Sequence, residues 1–213
     1  MSDSAREPVE ERRRRALLFV GAVIPIAAGA ALIATAAVLF HGHATKAPTD
    51  AEVAAAMAKA GCVLKTFPAQ SREHVTDVNA RIHYNSFPPT SGPHYFAPVD
   101  WGFYLHPVVE IMVVHNLEHG GIVIQFGTKI QGVTVEKLFE FYRRDPRLLV
   151  MAPLPKLGKR IALAAWTVPP HDPEEPPKRG LGRLALCTHF ADEAFRDFVD
   201  AYRDRGPEIE PPH

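Results

Sequence analysis

The sequence lacks the short motifs that mark the commonest catalytic machineries. It contains no serine nucleophile elbow, no glycine-rich phosphate loop and, with only two cysteines, no C-x-x-C pair. Acyl transfer, nucleotide chemistry and thioredoxin-type chemistry therefore have no support. The net charge is zero, and there is no basic stripe outside Arg12–Arg15, so nothing in the charge pattern favours nucleic acid as a partner. The chain also has no internal repeat.

One long apolar segment is present near the N-terminus. Residues 16–40 carry no charged or strongly polar side chain apart from Thr35, and they are long enough to cross a hydrocarbon core of about 30 Å. A cleaved signal peptide is the alternative, but its apolar core would normally be only about 7 to 15 residues long. The length favours an uncleaved transmembrane helix.

The charges that flank this segment predict its orientation. Arg6 and Arg12–Arg15 precede it, whereas Lys46 is the only lysine or arginine among the fifteen residues that follow. Positive charge is concentrated on the cytoplasmic side of membrane helices. We therefore expect a single-pass protein of the cell membrane, with its C-terminal domain outside. The expected organisation is a cytoplasmic tail (1–15), a transmembrane helix (16–40), a linker (41–50) and an extracytoplasmic domain (51–213).

Both cysteines lie in the predicted outer domain. Thiols outside the cytoplasm tend to be oxidised, so Cys62 and Cys187 are expected to form a disulfide. Two separate buried thiols are the alternative.

The outer domain shows the hydrophobic periodicity of a mixed fold. Predicted helices cover Ala51–Ala60, Thr134–Arg144 and Asp192–Arg203. Predicted strands cover Cys62–Phe67, Val108–Val114, Ile122–Phe126, Leu148–Ala152, Arg160–Val168 and Leu184–Cys187, where Val108–Val114 is a strand or an extended lead-in. Residues 71–82 give no firm signal, and 169–182 form a proline-rich surface loop. The fold class is α+β, with a mixed sheet of about four or five strands and helices mainly on one face.

The segment from Tyr84 to Trp101 has a composition of its own. It holds three prolines and a glycine between Asn85 and Tyr95. Proline fixes φ and loses little entropy on ordering, so such a loop can hold His94 in one place.

A second segment combines two imidazoles and a carboxylate within five residues. His115, Glu118 and His119 match the H-x-x-E-H pattern of some zinc peptidases, which requires a helix. Val113–Val114 before the motif and Gly120–Gly121 after it disfavour a helix here. An extended segment would point Glu118 away from the histidines, and a tight turn would bring all three together.

These two segments carry a family resemblance. Asn85-Ser-Phe-Pro-Pro-Thr-Ser-Gly-Pro-His-Tyr95, His115-Asn-Leu-Glu-His-Gly120 and the later Ala164-Ala-Trp166 resemble the bacterial family catalogued as domain of unknown function 3105. The similarity covers about residues 62–208. It implies a domain placed behind a single membrane span, and it implies no particular activity.

The histidines of the two motifs predict a metal site. His94, His115 and His119 are its expected ligands, with Glu118 as a fourth ligand or as the acceptor that fixes an imidazole tautomer. Imidazole suits zinc or copper, and Met112 and Met151 would favour Cu(I) if they lay close by, although methionine is more often core filler. The expected function is transition-metal binding for storage, transfer or sensing.

Two other functions stay open at this point. A metal-dependent hydrolase would use Glu118 as general base. An interaction module of the cell envelope would have a purely structural histidine cluster, and would bind an envelope protein partner through an aromatic patch of Trp101, Phe103 and Tyr104.

Overall fold

Four α-helices and eight strands occur in the residues that this computed structural model describes, 46–169 and 180–208. The helices are α1 (Asp50–Lys59), α2 (Glu110–Glu118), α3 (Gly132–Arg144) and α4 (Asp192–Tyr202). The strands are β1 (Val63–Pro68), β2 (His74–Val75), β3 (His94–Tyr95), β4 (Gly102–Phe103), β5 (Ile122–Phe126), β6 (Leu149–Pro153), β7 (Ile161–Thr167) and β8 (Leu181–Cys187).

The expected tail, the expected membrane span and the first half of the linker (41–45) lie outside the described residues, as does most of the proline-rich loop at 169–182. Within the described ranges, no helix has both the length and the apolar character needed to cross a membrane.

A six-stranded mixed sheet forms the centre of the fold. Its strand order is β1-β8-β7-β5-β6-β4; β5 and β4 run parallel to β6, and the other neighbours are antiparallel. The predicted α+β class is confirmed. The sheet has more strands than expected, because β4 is only two residues long and too short to recognise from periodicity.

The alternation of side chains along β5 divides the core into two layers. Ile122 and Ile124 share the larger cluster with buried side chains of α1, α3 and α4. Val123 points to the other face, where it packs with side chains of α2 and with Trp166 on β7. The sheet thus separates the large apolar core from a smaller layer built around α2.

Local signals in the sequence explain where α1 begins. The Thr49 hydroxyl accepts a hydrogen bond from the Glu52 backbone N–H at 3.3 Å, and the Glu52 carboxylate accepts one from the Thr49 N–H at 2.7 Å. This reciprocal capping box satisfies two backbone donors that the first turn would otherwise leave free.

A disulfide closes the start of the domain onto its end. Cys62 and Cys187 are bonded, with Cα atoms 4.2 Å apart, which confirms the pairing predicted from the sequence; the alternative of two separate thiols is wrong. On the chain-entropy model, a closed loop of this length stabilises the fold by about 5 kcal/mol.

The prediction of a strand at Val108–Val114 is wrong, because Glu110–Glu118 is the helix α2. Val113, Val114 and Leu117 are buried against the sheet. The preference of a β-branched residue such as valine for strand over helix is less than about 1 kcal/mol, so the burial of these side chains against the sheet decides the conformation. The helix ends before Gly120, whose φ of +78° suits glycine.

Candidate metal centre

The last turn of α2 and the C-cap residue that follows it bring two histidines together. His115 and His119 are one turn apart, and their Nε2 atoms are separated by 2.8 Å. Glu118, three residues after His115, is completely buried. Residues i, i+3 and i+4 of a helix share a face, so the helical conformation brings His115, Glu118 and His119 to the same side. The expectation that the motif is not helical is wrong, because α2 extends to Glu118.

The proline-rich loop delivers His94 to the same place. His94 is completely buried, and its Nε2 lies 2.9 Å from Glu118 Oε2. The loop is fixed on α2 by Asn116, whose side-chain oxygen accepts from the Val99 N–H at 3.1 Å and whose amide donates to the Val99 carbonyl at 2.8 Å. The Tyr84 hydroxyl donates to the carbonyl of Pro93, next to His94, at 2.8 Å.

A fourth histidine, His74, joins the group, and sequence reasoning did not find it. His74 pairs with His94 in the two-stranded parallel β2–β3 ladder, and its Nε2 lies 3.2 Å from Glu118 Oε2. The ring stacks on His115 with centroids 5.0 Å apart. The segment around it is polar and has no periodicity, so no signal in the single sequence places His74 beside His94.

Glu118 accepts hydrogen bonds from the residues that surround it. Besides His94 and His74, the Arg72 Nε donates to its Oε1 at 2.5 Å, and Arg72 Nη2 reaches Glu208 at 2.5 Å. Burial alone would raise the pKa of Glu118, but the hydrogen bonds from His94 and Arg72 outweigh it and lower the pKa to about 2. The carboxylate is therefore ionised at neutral pH.

Backbone carbonyls fix the tautomers of three histidines. A carbonyl oxygen can only accept, so each Nδ1 facing one must carry a proton. The three bonds are His94 to Gly92 (2.8 Å), His115 to Tyr95 (2.9 Å) and His119 to Glu208 (3.1 Å). Burial lowers the pKa of His115 despite the bond to Tyr95, which favours its neutral form with a lone pair on Nε2.

The donor atoms are close enough to suit one ion. One ligand atom from each of His74, His94, His115 and Glu118 lies within 4.8 Å of the others. Donors in tetrahedral geometry around an ion with bonds of about 2 Å lie about 3.3 Å apart, so ligation requires the most distant pair to approach by about 1.5 Å. Three imidazoles and one carboxylate are a donor set that zinc and copper accept.

The structure thus brings the predicted residues into one neighbourhood, and adds one. His94, His115 and Glu118 belong to the four-residue group with His74. His119 touches the group through His115. Met151 is buried in the large core cluster on the other face of the sheet, where it is core filler and gives Cu(I) no support.

The expected aromatic patch is not formed as a unit. Trp101 is 36% exposed, but Phe103 packs with Phe126 and Phe139 on the side of the large core. Tyr104 packs with the cluster around α2. A sequence can show that three aromatic residues are close along the chain, but not that they point in different directions.

Packing within the protein leaves no room for a side chain at Gly121. A Cβ at Gly121 would lie 2.4 Å from the Trp101 ring. Next to it, Asp204 donates its N–H to the Gly120 carbonyl at 2.9 Å, and Glu208 donates to that of Glu118 at 3.0 Å. The segment 204–208 therefore covers the end of α2 and satisfies carbonyls that the helix leaves free.

Comparison with known proteins places these residues in a family. Residues 74–212 match the model of a family described as Protein of unknown function (DUF3105), and the chain belongs to that family. The match begins at His74 and includes every residue of the cluster. No curated protein and no solved structure matches the chain.

Proposed function

We propose that this domain binds a transition metal ion, copper or zinc, through His94, His115 and Glu118, with His74 and His119 completing the set. The bound ion would be stored, transferred or sensed. The proposal also keeps the single membrane span at 16–40, so that the metal centre would lie outside the cell membrane; the disulfide, typical of oxidising compartments, supports that location.

One observation carries the proposal: the Nε2 atoms of His115 and His119 face each other in a way that requires a proton or a metal ion between them. His115 and His119 both donate from Nδ1 to carbonyls, yet their Nε2 atoms face each other at 2.8 Å. If both rings were neutral, the lone pairs of the two Nε2 atoms would face and repel each other. A shared proton or a metal ion removes the conflict, and fixing Nδ1 on a carbonyl is the usual way in which proteins orient imidazole ligands.

The same conflict argues against a purely structural cluster. A hydrogen bond between two histidine rings requires one ring to donate and the other to accept. Here the backbone assigns both rings the same tautomer, so the metal-free arrangement needs an additional positive charge to be stable.

The hydrolase is supported less well. A general base is most effective when its pKa lies near the working pH. In the metal-free protein, hydrogen bonds from His94 and Arg72 outweigh burial and lower the pKa of Glu118 to about 2, so Glu118 is a weak base there. Its role in the proposal is that of an anionic ligand, which compensates the charge of the ion.

The test is metal content and affinity in the purified full chain. We expect about one ion per chain by elemental analysis, and an affinity loss of at least about 100-fold in the His115→Ala/His119→Ala double variant. His106→Ala, which removes an exposed histidine outside the cluster, is the matched control and should bind as the wild type does. Full binding by the double variant contradicts the proposal.

The chain contains its own reporter for this titration. The Trp166 ring is 2% exposed and lies edge-on to His94, with centroids 6.3 Å apart. Paramagnetic Cu²⁺ bound to His94 would quench Trp166 fluorescence, whereas Zn²⁺ would not. Trp101→Phe removes the other tryptophan of the chain and makes the signal specific.

A further inference from the structure

His74 differs from the other members of the cluster. Its side chain is 43% exposed, whereas those of His94 and Glu118 are fully buried. The Nδ1 atoms of His94, His115 and His119 are fixed by carbonyls; among the described residues, no hydrogen bond reaches Nδ1 of His74. His74 is therefore the member that the protein holds least firmly.

The backbone around His74 does not depend on its side chain. The β2–β3 ladder is held by the His94 N–H, which donates to the Glu73 carbonyl at 2.9 Å, and by the Phe96 N–H, which donates to the Val75 carbonyl at 3.2 Å. The imidazole can consequently turn away toward solvent while His94 and the loop stay in place.

A cationic group lies beside the position that His74 occupies. Arg72 is 47% exposed, and its Nε and Nη2 bond to Glu118 and Glu208. Within the described part of the chain its Nη1 has no hydrogen-bond acceptor, so donors of the guanidinium remain for an incoming group. Guanidinium and carboxylate have matching geometry, and their hydrogen bonds are stronger than neutral ones.

We propose that His74 is an exchangeable ligand of this centre, and that a small carboxylate-bearing molecule takes its place on the metal while pairing with Arg72. The inference rests on the proposed metal centre. The exchange moves no electrons: the bond between His74 Nε2 and the metal breaks, and a carboxylate oxygen forms the new bond. An outward-facing exchange position gives the centre a route by which the ion or a substrate is received.

The experiment uses the full chain loaded with Cu²⁺ and follows its electron paramagnetic resonance spectrum during titration with acetate and, separately, with imidazole. The proteins are wild type, His74→Ala, Arg72→Gln and the control His106→Ala. Thermal unfolding of each metal-free protein shows whether the variant is folded.

We expect His74→Ala to keep one ion per chain and to bind acetate about tenfold more tightly than wild type, because no side chain competes for the position. Arg72→Gln should weaken acetate about tenfold, the value of a lost charge-assisted hydrogen bond, while imidazole, which needs no guanidinium, changes less than about twofold.

Three results overturn the inference. Loss of the ion from His74→Ala, with wild type still loaded, would make His74 a required ligand. Spectra that neither probe changes would show that no position exchanges. Equal weakening of acetate and imidazole in Arg72→Gln would remove the preference for carboxylate. A wild type that binds no ion at all would instead refute the metal centre itself.

Discussion

His115 and His119 direct their Nε2 atoms at each other across 2.8 Å, although each ring already donates from Nδ1 to a backbone carbonyl. Two zinc ligands in tetrahedral geometry would be about 3.3 Å apart. The end of α2 and its C-cap residue therefore place two Nε2 atoms at nearly the spacing that a metal ion requires.

Metal should stabilise the wild type and not the His115→Ala/His119→Ala double variant. At a free metal concentration about 100 times the Kd, the gain is about 2.7 kcal/mol, which raises the unfolding midpoint of a domain of this size by about 5–10 °C. Differential scanning calorimetry with and without a chelator measures the shift. An equal shift in the double variant would locate the ion elsewhere.

Asn116→Ala should destabilise the fold by about 1–2 kcal/mol, because it removes the side-chain partners of the half-buried N–H and carbonyl of Val99. It should also weaken metal binding, since the loop that carries His94 is then held less firmly on α2. Urea unfolding gives the first effect and metal titration the second. Asn79→Ala, at an exposed position, is the control and should change neither.

Stability should depend on pH through Glu110, at the start of α2. Burial raises its pKa from 4.5 to about 7, against a smaller opposite effect of the bond from Gln125. Between these values the folded chain keeps a proton that the unfolded chain has lost, so the free energy of unfolding falls as pH rises through the window.

The measurement for Glu110 is urea unfolding of wild type and Glu110→Gln at several pH values. The wild type should lose up to about 3 kcal/mol relative to the variant between pH 4 and pH 8. A difference that is constant with pH, or that grows in favour of the wild type, contradicts the assignment.

Gly121→Ala should cost about 1–3 kcal/mol, because the new methyl group would lie 2.4 Å from the Trp101 ring and 2.7 Å from the Asn116 carbonyl. Trp101→Ala in the same chain should relieve part of this cost, so a double-mutant cycle should give a coupling energy that restores stability. Gly132→Ala meets nothing within 4 Å and should be neutral. Strict additivity would show that Trp101 is not the obstacle.

The sequence predicted the elements whose patterns are strong. β5 and β7 are mainly apolar runs, α4 has a regular apolar face, and all three appear close to the expected bounds. It failed at α2, because a short helix buried on most sides has the same β-branched, apolar composition as a buried strand. Only the packing of α2 against the sheet distinguishes the two.

The site was predictable to the extent that its residues lie in compact motifs. His94, His115 and Glu118 stand out because each is adjacent to prolines or glycines or to another ligand-type residue. His74 has no proline, glycine or second histidine beside it. Its role depends on a parallel pairing with His94, twenty residues further along an irregular stretch of chain. Contacts of that kind follow from tertiary structure and leave no periodic trace.

The bond between Cys62 and Cys187 encloses both motifs and His74. A protease that cuts the chain once between these cysteines therefore yields two fragments that stay covalently linked, and the nicked protein keeps all of its histidine ligands in one molecule. On a gel, such a nick would become visible only after a reductant is added.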